Sequence, residues 1–108
     1  KYSRALVKSV YSLVKNFPVD ERNALSDQLR RAVISVPSNI AEGMGRTSPK
    51  EQVRFLEISY GSLMEVLCQL QLAQDLNYIT IEEYYEQRSM IQTTAKILSG
   101  LRSSLIKH

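Results

Sequence analysis

The sequence predicts an all-α fold, an antiparallel up-down-up-down four-helix bundle. Three observations carry that expectation. Apolar residues recur at steps of three and four along nearly the whole chain, the period of a helix with one buried stripe. Two helix-start signatures stand out, Ser48-Pro49-Lys50-Glu51 and Thr80-Ile81-Glu82-Glu83. Three prolines and four glycines in 108 residues are too few for the tight turns of a sandwich or barrel. A hydrophobic share of 44% and a charged share of 23% are globular averages, and this length suits one domain over residues 1–108.

The first helix is predicted over about 2–16, with Leu6, Val10, Leu13, Val14 and Phe17 on one stripe. Phe17-Pro18 ends it, because proline pushes the preceding residue out of the helical region. A short turn is expected over 18–25, with the second helix over about 21–45. Its stripe is Leu25, Leu29, Val33, Val36, Ile40 and Met44. Pro37 lies inside that stripe, lacking an N–H and crowding the carbonyl four residues back. The period keeps its phase across Pro37, which favours one bent helix; two helices broken at Val36-Pro37 is the alternative. Gly43 and Gly45 close the element.

The third helix, about 49–76, starts with Ser48 as N-cap, Pro49 at the first helical position and Glu51 at the third. Leu56, Tyr60, Leu63, Leu67 and Leu70 form a heptad-like seam, on which Cys68 is expected to be a buried small hydrophobe. The fourth helix, about 81–106, follows the Thr80–Glu83 capping box with Tyr84, Ile91, Leu98, Leu101 and Leu105 facing inward. Short connections make sequence neighbours antiparallel.

Composition narrows the chemistry. The lone cysteine excludes a disulfide framework and a Cys-based zinc site, and the lone histidine, His108, is the last residue. Glu42, Glu57 and Glu65 have no histidine partner and no Glu-x-x-His pair, so neither a hydrolase nor a di-iron site is expected. Gly43-Met44-Gly45 lacks the lysine and spacing of a phosphate loop. Ser35, Ser59 and Ser62 have no neighbouring base. A non-enzyme without metal or cofactor is the expectation. No apolar run approaches the ~18 residues of a membrane span and no charged-then-apolar leader opens the chain, so a soluble cytoplasmic protein is expected. The sequence opens on Lys1 rather than Met, and a few residues are expected to precede it.

Charge is more informative. The net charge is +3 and the pI about 9.1. Lys1, Arg4, Lys8 and Lys15 stand in the first 17 residues without an acid, whereas residues 47–79 carry −2. If the first and fourth helices are neighbours, Arg4 and Lys8 approach Arg102 and Lys107 as one basic patch. Arg46, Lys50 and Arg54 surround the junction of the second and third helices as another. Either patch suits phosphate, or merely solubilises the surface. On the second helix Gln28, Arg31, Ser35, Asn39, Glu42 and Arg46 share one face, which is either a solvated stripe or a hydrogen-bonded strip between helices or subunits. Glu65 of the third helix is placed to face the same strip.

The string Ser35-Val36-Pro37-Ser38-Asn39-Ile40-Ala41-Glu42-Gly43, with Gly45-Arg46 and Ser48 after it, is specific. Together with Gln28-Leu29-Arg30-Arg31-Ala32, Phe55-Leu56, Gly61-Ser62-Leu63 and Glu65, it resembles the four-helix-bundle proteins encoded within 23S ribosomal RNA intervening sequences. The match runs from Phe17-Pro18 to about Tyr78 and more loosely onward, and the family's aromatic-containing opening is mostly absent. The resemblance implies a second helix running through the proline and an assembly of five subunits around a central channel. It also implies kinship with the accessory bundle proteins of diversity-generating retroelements, which associate with a reverse transcriptase and nucleic acid. Ser35, Pro37, Asn39, Glu42, Gly43 and Glu65 are the family-motif and candidate interface residues.

Two functions are therefore expected to compete. One is a nucleic-acid-binding homo-oligomer, a pentamer by resemblance, that holds RNA through Arg30, Arg31, Arg46, Lys50 and Arg54. The other is a protein-interaction scaffold whose basic residues serve solubility or a protein partner.

Overall fold

A computed structural model describes residues 2–18 and 24–106. The expected turn over 18–25 and the expected helix start at 21 fall partly outside these residues. Four helices follow in order: α1 (Tyr2–Val14), α2 (Leu25–Met44), α3 (Pro49–Asp75) and α4 (Ile81–Ile106). Packing runs from α1 to α2, α3 and α4 and back to α1, with α2–α3 the most extensive interface, so α1 and α3 stand at opposite corners.

Each boundary has a local cause. The backbone N–H groups of Asn16 and Phe17 turn back to the Leu13 and Val14 carbonyls, which ends α1 two residues earlier than expected. Phe17 is then buried, with its ring 5.4 Å from that of Tyr78. At the start of α3, Ser48 accepts a long bond from the Glu51 N–H (3.5 Å) and Pro49 occupies the first turn. Its end is a Schellman motif: the Tyr78 N–H reaches the Ala73 carbonyl (2.8 Å), the Asn77 N–H reaches Gln74, and Asn77 takes the left-handed conformation at φ 64°. Asparagine is the usual substitute for glycine there. The Thr80–Glu83 box is reciprocal, with the Thr80 N–H donating to Glu83 Oε1 (2.8 Å) and the Glu83 N–H to Thr80 Oγ1 (3.0 Å).

α2 is one helix through Pro37, which disposes of the broken alternative. Proline removes the donor that the Val33 carbonyl expects. Beside it, Ser59 of α3 donates from its hydroxyl to the Val36 carbonyl (2.8 Å), tying the peptide that precedes Pro37 to the neighbouring helix. Gly43 explains how near that neighbour lies. A β-carbon there would sit 3.0 Å from Phe55 Cβ and 3.4 Å from the Gln52 carbonyl oxygen, so only glycine lets the end of α2 pack this closely on α3.

The packed side of α3 differs from the expected seam. Its buried side is Leu56, Ser59, Leu63, Val66, Gln69, Leu70 and Ala73. Tyr60 and Leu67, expected on the seam, are turned aside, Tyr60 to solvent and Leu67 to a half-buried flank. Cys68 is exposed rather than buried. Heptad spacing assumes partners of equal bulk, whereas small residues on the α2 side, Ser59 and Ser62, draw the packed face toward α2.

α1 and α4 are tied where Gln87 Nε2 donates to Ser9 Oγ. From that register an antiparallel α1 covers only the first half of α4. Beyond it, Met44 at the end of α2 is 78% exposed and Leu101 is 45% exposed, although both belong to stripes expected to face the core. Ile40, Met44, Leu56, Leu101 and Leu105 line an open groove of about 240 Å³ at this end. No helix among the described residues is long and apolar enough to cross a membrane.

Candidate nucleic-acid interface

The turn from α2 to α3 gathers three of the five sequence-predicted cations. Gln52 donates from its side chain to the Arg46 carbonyl (2.8 Å), which holds the turn against the start of α3. Lys50 and Arg54 lie four residues apart and so share a face of α3. Two guanidinium groups lie against Phe55, with Arg46 Cζ 5.1 Å and Arg54 Cζ 5.7 Å from its ring centroid. Such contacts hold the arginine planes over the ring and leave their N–H edges for other acceptors. Arg46 also bonds Glu42 (2.6 Å), one turn back on α2. Among the described residues, Lys50 and Arg54 have no ion-pair partner.

The remaining two cations are elsewhere. Arg30 is turned toward α1, paired with Asp27 (2.7 Å) and 5.9 Å from the Tyr11 ring centroid. Arg31 is exposed, but about 22 Å of helix separates it from Arg46 at 1.5 Å per residue. The other expected basic patch, Arg4 and Lys8 with Arg102 and Lys107, does not form as expected. Ser9 is level with Gln87, so Arg102 lies about 15 Å beyond Arg4, and it is bound to Glu57 of α3 (2.8 Å). Lys107 is outside the described residues.

The polar strip lies between α2 and α3. Ser35 and Ser62 share a hydrogen bond between hydroxyls (2.8 Å), and Asn39 Nδ2 donates to both the Ser35 carbonyl and its hydroxyl (2.8 Å each). Gln69 Nε2 donates to Glu65 Oε2 (3.1 Å) and at 3.5 Å to Gln28 Oε1. Ser35 and Asn39 are therefore used within the chain as a register-fixing strip, while Glu42 and Glu65 remain exposed. Sequence reading missed Ser59, Ser62 and Gln69 as members. Their spacing on α3, at steps of three and seven, is the signal that pairs them with the strip. Ser26 Oγ, Gln69 Oε1 and Gln87 Oε1 are buried with no hydrogen-bond partner among the described residues.

Chemically the corner offers three cations, which suit an anion, with Glu42, Glu51 and Glu57 close by as competing acids. Among the described residues no group of His, Cys, Asp and Glu is placed to hold a metal ion.

The fold and this corner define a small helical bundle with a cationic turn and a hydrogen-bonded α2–α3 seam. A family model described as 23S rRNA-intervening sequence protein matches residues 1–100, and the chain belongs to that family. It is similar to a solved structure from Bacteroides thetaiotaomicron, described as a protein with unknown function from the S23 ribosomal protein family. That similarity amounts to 25% identity over 94% of each chain with a TM-score of 0.84. No curated protein matches the chain.

Proposed function

We propose that this protein is a non-enzymatic, cytoplasmic homo-oligomer that binds structured RNA through phosphate contacts, with little sequence preference. The observation that carries this reading is the α2–α3 corner, where Arg46, Lys50 and Arg54 flank one turn, Arg46 and Arg54 lie against Phe55, and Lys50 and Arg54 have no acidic partner among the described residues. The description of its family, which ties these proteins to ribosomal RNA genes, supports RNA as the acceptor. Phosphate contacts position a protein and carry no sequence information, hence the low specificity. Phe55 already carries two guanidinium groups against its ring, which compete with a base for stacking there. Assembly, in a ring of five as the resemblance implies, multiplies the +3 of each chain into a multivalent surface.

The test is an RNA titration at several salt concentrations. Neutralising six or more phosphates weakens binding about 10³-fold between 50 and 200 mM salt. Arg46→Glu with Lys50→Glu should lower the salt slope by about 2 while circular dichroism stays unchanged. Absence of binding by the wild type at low salt refutes the RNA reading. A second reading, a protein-interaction scaffold, is favoured by Arg30 and Arg46 already being paired with Asp27 and Glu42. It takes over if the double variant binds as well as the wild type.

A further inference from the structure

Between α3 and α4, Leu56, Glu57, Tyr60, Leu98, Ser99 and Arg102 line an open hollow of about 310 Å³. Its floor is apolar, since Leu56 and Leu98 are both buried. One wall is Tyr60, which the heptad spacing assigns to the core but which is 39% exposed. Among the described residues its ring meets no other ring and no guanidinium group, and its hydroxyl makes no hydrogen bond. The rim is the Arg102–Glu57 pair. Arg102 donates from Nε to Glu57 Oε2 (2.8 Å). Its two terminal amino groups and Glu57 Oε1 make no other hydrogen bond among the described residues, so donors and an acceptor stand side by side. An unpaired nucleobase has the matching chemistry, a flat face that stacks on an aromatic ring and an edge that both donates and accepts.

The hollow adjoins the cationic corner. Glu57 borders both, because it also lines the neighbouring depression with Lys50 and Arg54. Along the helix, Arg54 and Tyr60 are about 9 Å apart at 1.5 Å per residue, short enough for one strand to serve both. The acid between them is already neutralised: Glu57 is held by Arg102, so a strand crossing there meets a paired carboxylate. Glu51 remains on the Lys50 side as a competing acid. Phe55 is the poorer platform, since its ring carries Arg46 and Arg54, whereas the ring of Tyr60 carries neither.

We propose that this hollow receives an unpaired base, stacked on Tyr60, of a nucleotide chain whose phosphates lie on Lys50 and Arg54. This rests on the RNA reading above and names the part of the RNA that the site takes. Stacking accepts any base, so low sequence preference is retained, but the protein then prefers RNA with an unpaired segment over a closed duplex. Free mononucleotides carry the same chemistry and are the other source of a ligand.

The experiment titrates three probes: a blunt RNA hairpin, the same hairpin with a single-stranded tail carrying iodouridine, and uridine monophosphate. The wild type should bind the tailed hairpin more tightly than the blunt one, and ultraviolet light should couple the iodouridine to Tyr60, located by mass spectrometry. Tyr60→Ala should weaken binding of the tailed hairpin about 5- to 150-fold, the range for losing one stacked base, and leave the blunt hairpin unaffected. Its salt slope should match the wild type, because stacking releases no counterion, whereas Arg54→Gln should lower the slope by about 1. Tyr60→Phe should bind as the wild type does, since the ring and not the hydroxyl is used. Tailed RNA that binds equally well to Tyr60→Ala, or couples only elsewhere, overturns the base site and leaves the RNA reading standing. Uridine monophosphate bound with the same dependence on Tyr60, with neither RNA bound, overturns the RNA reading and leaves a mononucleotide site. Binding of none of the three probes overturns both.

Discussion

Leu63 and Leu67 lie one turn apart on α3, and their environments differ sharply. Leu63 has no exposed surface, whereas Leu67 packs on the flank of the core. Leu63→Ala should cost about 2–5 kcal/mol, because it leaves a cavity among side chains that relax only partly. Leu67→Ala should cost less than half of that in the same urea titration, because solvent reaches part of what is removed. Equal costs would place Leu67 on the seam after all. The inner row of α3 was only half legible at this scale. Leu56, Leu63 and Leu70 announce themselves by spacing, but Ser59 and Gln69 are polar and enter the core only because Val36 and Glu65 give their side chains hydrogen-bond partners. Cys68 shows the opposite error. Free cysteine is among the residue types most often buried, yet its angular position on α3 puts it on the outer side.

Helix termini were the most legible elements, since caps are local chemistry. Thr80 and Glu83 satisfy each other's backbone donors as their spacing requires. Thr80→Ala should lower stability by about 1 kcal/mol in chemical denaturation. Ser48→Ala should lower it by less, because the Ser48–Glu51 bond is long and exposed. A larger loss at Ser48 would mean that the α2–α3 turn depends on its cap more than on the Gln52–Arg46 bond. The continuity of α2 through Pro37 was also readable, because the apolar period does not slip there. The close approach of α3 to α2 was not. It depends on Gly43 admitting Phe55, a contact between residues on two helices that no single-helix pattern contains.

For the whole molecule, short connections fix which helices are neighbours but not how far each reaches. The α1–α4 register rests on Ser9 meeting Gln87, a pairing that nothing in either helix taken alone specifies. The shift of Arg102 away from Arg4 and the exposure of Met44 and Leu101 both follow from it. The cationic corner was legible because its three residues flank one turn and need no long-range register. Arg30 and Arg31 are separated from one another as well as from the corner, because adjacent helix residues point about 100° apart, and Arg30 is turned to Asp27 and Tyr11.

The same α1–α4 pairing orders events in time. α2 and α3 share the largest interface and meet across a short turn, so they can associate at little cost in chain entropy. Docking α1 on α4 brings together residues 78 apart in sequence, a much larger loop to close. Val10, buried on α1, should accordingly belong to contacts made after the rate-limiting step. Val10→Ala, at about 2 kcal/mol, should speed unfolding about 30-fold and leave the refolding rate nearly unchanged. Val66→Ala on α3 should mainly slow refolding. Stopped-flow measurement of both variants decides it, and a Val10 variant that refolds slowly would place α1 in the folding nucleus. With α1 docking late, the native chain loses it first on opening, and the edges of α2 and α4 that it covers meet solvent before the α2–α3 pair does.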